Sequence, residues 1–533
     1  AMVVGTEKLA AEVGLDILRQ GGNAVDAAVA TGFALAVTYP RAGNLTGGGF
    51  MLIHLAGDDR EVFIDYRESA PAGASRDMFL DKEGAVDRKL AYSSHRSAAV
   101  PGTVAGLLHA LEQHGSMSRE QVLAPAIALA EKGFPVSFSL NYEFVARGQK
   151  LRGNAEALRV FFRPDGEVYD IGEVWRQPDL AWTLKQIARK GRDGFYRGPV
   201  AERIVDEMER GDGLISLADL AGYRAIEREP VRGTFRGYEI VSAPPPSSGG
   251  VHILQMLNIL DGFDLQGMGH NSAAYIHHLA ESMKLAYADR SKYLGDPDFM
   301  EVPVTRLIDP AYAARQRALI DPARATPSAE ITPGRVLHHE SDDTTHYNVV
   351  DRHGNAVSNT YTLNASFGSG IAVPGTGLLL NNEMPDFAMQ VGKPNIFGLI
   401  QGESHAIDGG KRPVSSMTPT IVFKNGEPWL VTGSPGGPRI INVLLQVLLN
   451  TIVFDMNVAT AGIVARVHHQ WLPDHILAEQ GISPDTIRLL QQMGHNVNQS
   501  DRTFGRSQSI MLGDGRLMGA TDTRRPEGWV AGY

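Results

Sequence analysis

The stretch SDDTTHYNVVDRHGNAVSNTYTLN, residues 341–364, predicts a β-hairpin at the centre of the fold. An acidic run leads into Thr344, and the alternating segment that follows turns near His353 and returns to Asn364. If residues 351–355 form the loop, residue 353 is its centre, and Thr344 and Thr362 both lie nine positions away. This register places one threonine hydroxyl directly opposite the other.

The composition is that of a globular protein that can bury a large core. Its 533 residues are 43% hydrophobic and 21% charged. The net charge of -10 and the pI near 6.0 give no basic face, so no nucleic-acid partner is expected. Cysteine is absent, which excludes disulfides, thiolate chemistry and cysteine-ligated metals.

No segment is predicted to span a membrane. The longest apolar runs, residues 27–37 and 443–454, are shorter than the roughly 20 residues that a bilayer requires. No charged segment followed by an apolar one opens the chain at Ala1. We therefore expect a signal peptide to be either lacking or already removed.

The remaining elements alternate between helix-rich and strand-rich parts. Residues 7–37 predict a helical hairpin, and apolar spacing makes residues 100–320 mostly helical. Beyond the hairpin, an Asn425-Gly426 turn joins two predicted strands, and helices separate these from further strands within residues 507–520. This order is typical of a sheet covered by helices.

Three glycines, residues 47–49, precede a predicted strand at residues 50–55. A phosphate-binding loop needs glycines between a strand and a helix, followed by Lys and Ser or Thr. Neither condition holds, because a strand follows and no such Lys is present. The glycines therefore predict close packing of the backbone.

Arg67 follows a second predicted strand, residues 61–66, in the motif IDYRESAP. On the sequence alone, two interpretations remain open. One is a surface salt bridge with Glu68 or Asp65, which is the commoner role of such an arginine. The other is a bidentate clamp for a carboxylate at the end of a strand.

Residues 310–343 differ in character from the chain before them. They carry Pro322, Pro327 and Pro333, few aliphatic residues, and the polar run HHESDD. We expect such a segment to be exposed and mobile. Because it ends where a well-patterned strand begins, it is a plausible site for a break in the chain.

Three kinds of active centre are compatible with a chain of this type. A serine hydrolase of the α/β class needs G-x-S-x-G between strand and helix, which is missing. A zinc site at His468-His469 is disfavoured because neighbouring side chains point to opposite sides of a chain. An N-terminal nucleophile at Thr344 would use its own freed α-amine as the base, with a reference pKa of about 7.7 to 8.0. A pair of threonines is also ordinary strand composition, so this stays a hypothesis.

Seven motifs in collinear order resemble those of the γ-glutamyltranspeptidase family, bacterial branch, and together they cover essentially the whole chain. They are GGNAVDAAVA, PPPSSGG, TTHYNVVDRHGNAVSNTYTLN, NNEMPDF, RPVSSMTPTIV, GSPGG and HHQWLPD. The resemblance implies an α+β fold of the N-terminal nucleophile hydrolase type. This fold is a four-layer αββα sandwich with two stacked antiparallel sheets. No cofactor and no metal are implied.

The resemblance also implies that the precursor cuts itself between Asp343 and Thr344. The products would be a large, helix-rich subunit, residues 1–343, ending in a mobile linker, and a small subunit, residues 344–533. Together these form one αββα unit and a heterodimer. Thr344 is the implied nucleophile, and Thr362 is the hydroxyl that bonds to it and helps to activate it.

Further site residues follow from the same resemblance, each by its matching motif. They are Arg67, Ser415 and Ser416 for the α-carboxylate of the γ-glutamyl group, Asn364, Glu383 and Asp386 for its α-ammonium, and Gly436 and Gly437 for the oxyanion hole. Residues 388–412 resemble a lid over the pocket. In this lid the chain has Phe397 where a tyrosine is often found, so the hydrogen bond of a phenol is lost.

The implied reaction transfers the γ-glutamyl group of glutathione and related compounds to water or to amino acid and peptide acceptors, through an ester on threonine. A periplasmic or extracellular location is implied by the family alone. One alternative is a glutaryl-cephalosporin (7-ACA) acylase of the same fold, whose substrate lacks the α-ammonium. Another is a non-enzymatic scaffold, which the intact catalytic positions disfavour.

Overall fold

Two stacked antiparallel sheets form the centre of the protein in a computed structural model, which describes residues 1–331, 344–391, 393, 402–525 and 527–533. From edge to edge, the seven strands of the first sheet are Trp529–Gly532, Met2–Gly5, Thr344–Val350, Ala356–Thr362, Gly48–Leu55, Arg60–Tyr66 and Ile226–Arg228. The six strands of the second sheet are Arg516–Thr521, Gln508–Gly513, Glu427–Gly433, Thr420–Lys424, Tyr238–Ser242 and Val231–Phe235.

Alternation along the strand Gly48–Leu55 shows how the layers stack. Met51 and Ile53 pack into a core shared with helices on the outer face of the first sheet. Phe50 and Leu52 point the other way, into a core shared with the second sheet and its covering helices. Since successive strand residues face opposite sides, one strand serves two cores. The predicted four-layer αββα sandwich is confirmed.

Helices cover both outer faces. The core of the first sheet includes residues of the helices Lys8–Arg19, Ala24–Thr38, Thr103–His114, Arg119–Lys132, Phe138–Arg147, Ala155–Phe161, Pro178–Lys190, Asp193–Tyr196 and Gly198–Arg210. The core of the second includes residues of Gly249–Leu260, Ala273–Tyr293, Arg439–Ile452, Val458–Ile463 and Pro484–Gln492. Shorter helices are Arg88–Ser93, Leu217–Gly222, Leu265–Met268, Val304–Leu307 and Pro310–Arg317. In the described ranges, no helix combines the length and the apolar character needed to cross a bilayer.

Small sheets and single turns complete the architecture. The short strands are Phe134–Pro135 with Val174–Trp175, Ala372–Val373 with Leu378–Leu379, and the trio Val467–His468, Ile476–Glu479 and Val497–Ser500. The 3-10 turns are His95–Ser97, Gly148–Gly153, Ser328–Glu330, Met384–Asp386 and Glu403–His405. The two ends of the chain meet at the edge of the first sheet, where the Ala1 amino group donates to the Tyr533 carbonyl at 3.0 Å.

The predicted helical hairpin begins and turns at identifiable side chains. Glu7 caps the first helix by accepting from the N–H groups of Leu9 and Ala10, at 3.0 and 2.9 Å. Asn23 and Asp26 form a reciprocal capping box at the start of Ala24–Thr38. Every residue of that second helix is buried, which explains its small, apolar composition on all sides.

The central hairpin has the register that the sequence predicts. Its strands are Thr344–Val350 and Ala356–Thr362, and Thr344 pairs directly with Thr362. In the loop, the Asp351 carboxylate accepts from the N–H groups of His353 and Asn355 at 2.8 and 3.1 Å. The other oxygen of Asp351 accepts from the N–H of Ala24, which ties the loop to the start of a helix.

The three glycines pack as closely as the sequence predicts. A Cβ on Gly47 would lie 1.8 Å from the Thr362 carbonyl oxygen. On Gly48 it would lie 2.5 Å from a carboxylate oxygen of Glu68, and on Gly49 2.3 Å from the Thr360 carbonyl oxygen. No side chain fits at these positions, so the backbone itself forms the wall beside the hairpin end.

The expectation that residues 310–343 are exposed holds for many residues of their first part, but that part also contains a helix with buried side chains. Pro310–Arg317 is a helix, capped by Asp309 and with proline at its first position. Its Gln316 side chain is buried and donates to Asp289 at 2.9 Å. Residues 332–343 lie outside the described residues.

Candidate active site

Thr344 and Thr362 stand side by side at the open end of the central hairpin. Both are nearly buried, with 8% and 4% of their surface exposed. The Thr362 hydroxyl oxygen accepts from the N–H of Asn364 at 2.9 Å. Asn364 has a φ of 72° and is held by its own side chain, which donates to the Asn382 carbonyl at 2.8 Å. The second threonine is therefore fixed by the residue that follows its strand.

A pocket of about 440 Å³ opens beside this pair. Its lining contains Arg67, Arg290, Thr344, Thr362, Asn364, Glu383, Asp386, Val414, Ser415, Ser416, Met417, Gly437, Pro438 and Ile440. Nine site residues named from the sequence thus meet in one cavity, although they are distant along the chain. Gly436 is next to the lining. Asp343 and Phe397 lie outside the described residues.

Arg67 lines the pocket and lies within a cluster of acids. Its Nη1 donates to Glu383 at 2.5 Å and to Glu68 at 3.3 Å, and its Nη2 donates to Asp386 at 2.6 Å. Its Nε donates to the Pro413 carbonyl at 3.3 Å. The side chain is 1% exposed, so the expected partner Glu68 is correct but the expected surface location is wrong. The bond to Asp65 is made by the backbone N–H of Arg67, at 2.9 Å.

The charges of this cluster do not balance, since three carboxylates surround one guanidinium. Burial lowers the pKa of Arg67, but the fields of Glu383, Glu68 and Asp386 outweigh it and raise that pKa above its usual value. Burial raises the pKa of Glu68 to about 7 and raises the pKa of Glu383 well above its usual value. The site therefore holds excess negative charge or shared protons, and it is suited to a cationic group of a ligand.

Ser415 and Ser416 also line the pocket. The Ser415 carbonyl accepts from both the N–H and the hydroxyl of Ser248, each at 2.8 Å. The Ser416 hydroxyl oxygen accepts from Nη2 of Arg290 at 3.4 Å. Sequence reasoning missed Arg290, because it lies within a long helix and has no local motif that marks it.

Gly436 and Gly437 lie where the strand Glu427–Gly433 leads into the helix Arg439–Ile452. Their φ angles are 137° and 53°, which glycine adopts without strain. No described residue accepts a hydrogen bond from the N–H of either glycine. Two N–H groups at the start of a helix suit a developing negative charge.

Among the described residues, two groups outside the pocket have the residue types of a metal site: His54 with Asp59 and Glu61, and the fully buried group of His277, Glu281 and His495. The ligand atoms of His277, Glu281 and His495 lie within 4.8 Å of one another. They are already engaged with each other and their neighbours, since His277 Nδ1 bonds to His495 Nε2 and Glu281 accepts from Lys284, both at 2.8 Å. The lysine ammonium supplies the positive charge there. The cluster is satisfied as a hydrogen-bond network.

A four-layer αββα fold with a hydroxyl residue at the start of a central strand defines the N-terminal nucleophile hydrolases. Comparison with known proteins identifies the family within this class. A model of the Gamma-glutamyltranspeptidase family matches residues 10–532. The chain belongs to the gamma-glutamyltranspeptidase family.

Individual relatives agree with this assignment. The chain is 50% identical over 533 residues to a glutathione hydrolase proenzyme of Escherichia coli (strain K12), covering 100% of this chain and 92% of the relative. A gamma-glutamyltranspeptidase structure from Helicobacter pylori is 45% identical, with a TM-score of 0.60, over 62% of this chain and 95% of that one. A cephalosporin acylase structure from Bacillus halodurans is 29% identical, with a TM-score of 0.87, over 100% of this chain and 95% of that one.

Proposed function

We propose that this protein is a self-processing γ-glutamyltranspeptidase and glutathione hydrolase with Thr344 as its nucleophile. The observation that carries the proposal is the position of Thr344 and Thr362, paired at the mouth of a pocket that also holds Arg67, Glu383 and Asp386. A hydroxyl pair beside groups of both charges fits a substrate whose reactive amide is attached to a free amino acid.

The two ends of the γ-glutamyl group would bind to different parts of the pocket. Its α-ammonium is matched by Glu383, Asp386 and the side chain of Asn364, where negative charge is in excess. Its α-carboxylate is matched by Arg67 with Ser415 and Ser416. An ammonium arriving among the acids would relieve the imbalance that burial creates, since charged groups are stable in an apolar interior only when they are paired.

The chemical step begins when the Thr344 hydroxyl attacks the γ-carbonyl carbon. Its proton passes to the α-amine of Thr344, and the negative charge on the former carbonyl oxygen is stabilised by the N–H groups of Gly436 and Gly437. Collapse breaks the C–N bond, and the leaving amine takes that proton. The γ-glutamyl ester that remains is resolved by water or by the amine of an acceptor, which restores the Thr344 hydroxyl.

The base in this scheme exists only after cleavage before Thr344. We therefore include in the proposal self-cleavage into residues 1–343 and 344–533 and a heterodimer of the two products. We also include a periplasmic or extracellular location, which membership of the family supports. The description of the Escherichia coli relative as a proenzyme supports the processing step. Paired strands from both segments in the first sheet support a dimer that stays assembled after the cut.

Replacing Thr344 by alanine tests the processing and the chemistry together. We expect purified wild-type protein to give two fragments in denaturing mass analysis, with the break before Thr344, and Thr344→Ala to give one intact chain without turnover. Alanine removes the hydroxyl on which both reactions depend. Thr345→Ala is the matched control, because Thr345 faces Thr6 rather than the pocket. A cleaved and active Thr344→Ala protein would refute the assignment.

Donor preference separates the proposal from the cephalosporin acylase alternative, which the structural match to an acylase motivates. We expect a kcat/KM for γ-glutamyl p-nitroanilide at least about tenfold above that for glutaryl p-nitroanilide, as the loss of one charge-assisted contact predicts. A glutaryl group leaves Glu383 and Asp386 without a cation. A preference for the glutaryl donor would favour the acylase function instead.

A further inference from the structure

Arg290 is a buried cation that lines the pocket. The proposed reaction assigns no role to it. It lies near the end of the helix Ala273–Tyr293 and is 1% exposed. No carboxylate of the described residues lies within 4 Å of its guanidinium. Burial lowers the pKa of Arg290 to about 10, so the group remains charged at neutral pH.

This isolation contrasts with the surroundings of Arg67. Arg67 makes ion pairs with Glu68, Glu383 and Asp386, all within 3.3 Å. Asp386, the carboxylate whose field reaches Arg290, is itself bound to Nη2 of Arg67. A substrate carboxylate that approaches Arg67 therefore meets three acids as well as a cation. Binding it requires positive charge from elsewhere.

The N–H groups of Arg290 bind to serine side chains at the pocket. Its Nε donates to the Ser248 hydroxyl oxygen at 2.8 Å, and that hydroxyl donates in turn to the Ser415 carbonyl at 2.8 Å. Its Nη2 donates to the Ser416 hydroxyl oxygen at 3.4 Å. Its Nη1 is buried and has no hydrogen-bond partner among the described residues.

These contacts determine how the serines can act. Because the Ser416 oxygen accepts from a guanidinium, its own hydrogen remains available to donate to a ligand. The link through Ser248 fixes the backbone of the same segment. An uncompensated cation behind a hydroxyl donor makes that donor stronger, since hydrogen bonds polarise one another in a low dielectric.

We propose that Arg290 is a positioning residue for the α-carboxylate of the γ-glutamyl donor, acting through Ser416 and supplying the positive charge that the acids around Arg67 cancel. This inference rests on the proposed function, because it assigns a role within the same donor site. It makes the pocket a match for a zwitterion: net negative beside Glu383 and Asp386, and net positive beside Ser415 and Ser416.

Three anilide substrates distinguish a role of Arg290 in carboxylate binding from a purely structural role. A γ-glutamyl anilide carries the carboxylate and the ammonium, a glutaryl anilide carries only the carboxylate, and a 4-aminobutyryl anilide carries only the ammonium. For Arg290→Gln we expect KM to rise roughly 10- to 100-fold for both carboxylate donors, as expected for the loss of one charge-assisted contact. Neither kcat for those donors nor kcat/KM for the 4-aminobutyryl donor should change by more than about twofold.

Arg290→Lys should recover part of the lost affinity, because it keeps the charge but not the fork of donors. Lys292→Gln is the matched control, since it removes a positive charge from an exposed position of the same helix. It should leave all three donors unaffected. The melting temperature and the yield of cleaved subunits report on the folding of every variant.

Calorimetric binding of glutamate and of 4-aminobutyrate tests the inference independently of turnover. Arg290→Gln should weaken the binding of glutamate and leave that of 4-aminobutyrate unchanged. Equal losses for all ligands, or no loss for the carboxylate ligands, would overturn the role of Arg290. Failure of the proposed function is a different result, because the wild-type protein would then prefer the glutaryl donor or turn over none of the three.

Discussion

At the scale of single residues, the charge balance of the pocket is set by Arg67 and the three acids around it. Glu68 contacts Arg67 at 3.3 Å and is completely buried, and its pKa is raised by that burial to about 7. The pKa of Glu383 is raised for the same reason. The protonation state of this cluster therefore changes near neutral pH. The preference for one substrate over another should change in the same range.

We expect the preference for γ-glutamyl over glutaryl anilide to increase as the pH rises towards about 7 and then to level off. The α-ammonium of the γ-glutamyl substrate stabilises the ionised form of the acids around Arg67. Below about pH 7 its binding must therefore release a proton from these acids, and above that pH no proton is released. The ratio of the two kcat/KM values should rise by up to about tenfold per pH unit for one linked proton. In the proposed mechanism, the Thr344 amine acts on both donors, so its titration cancels in the ratio.

Glu68→Gln is the control for this dependence, because it removes the titrating group and keeps the shape of the side chain. The ratio should then vary less with pH. A ratio that stays constant in the wild-type protein, or falls as the pH rises, would contradict the linkage between the acid cluster and the donor ammonium.

At the scale of elements, the glycine run of the strand Gly48–Leu55 determines how closely the acid cluster approaches the hairpin. A Cβ on Gly48 would lie 2.5 Å from both the Glu68 carboxylate and the Tyr66 carbonyl. Gly57 lies in the turn of the same pair of strands and has nothing within 4 Å of its Cβ position. Replacement by alanine therefore causes a steric conflict at Gly48 and none at Gly57.

Gly48→Ala should destabilise the protein by about 1–3 kcal/mol, as overpacking does in well-packed cores. It should also lower kcat/KM, since Glu68 and Arg67 would have to move. Gly57→Ala should stay within about 0.5 kcal/mol of the wild type. Melting temperatures at a fixed scan rate and initial rates with γ-glutamyl anilide measure both effects. Equal results for the two variants would show that the glycine run has no packing role.

The elements that could be predicted from the sequence are those with local causes. The hairpin register follows from the alternation and the loop length, and the packing role of the glycines follows from the strand after them. The helix Pro310–Arg317 lies where two expectations overlap, a mostly helical stretch up to residue 320 and an exposed segment from residue 310. The Asp309 cap followed by proline is the local signal that favours the helix. Arg290 and the contacts of Arg67 with Glu383 and Asp386 could not be predicted, since these partners come from distant parts of the chain.

At the scale of the whole molecule, the two main cores are each built from residues of both proposed subunits. In the first sheet, the strand Met2–Gly5 lies between Trp529–Gly532 and Thr344–Val350. In the second sheet, Tyr238–Ser242 pairs with Thr420–Lys424. Among the described residues, a cut before Thr344 breaks no ladder of either sheet, so the two products share one interior. The length of 533 residues therefore corresponds to one folded unit and not to two domains.

Ala1 and Tyr533 lie next to each other at the sheet edge, so the order of these 533 residues along a chain could be permuted. A short peptide could join these two residues, because the amino group of one already touches the carbonyl of the other. The permuted gene could then start at residue 344, and removal of the initiator methionine would leave threonine as the first residue. Such a chain would carry its α-amine from translation onwards, with the two proposed subunits in reverse order and no peptide bond to cut.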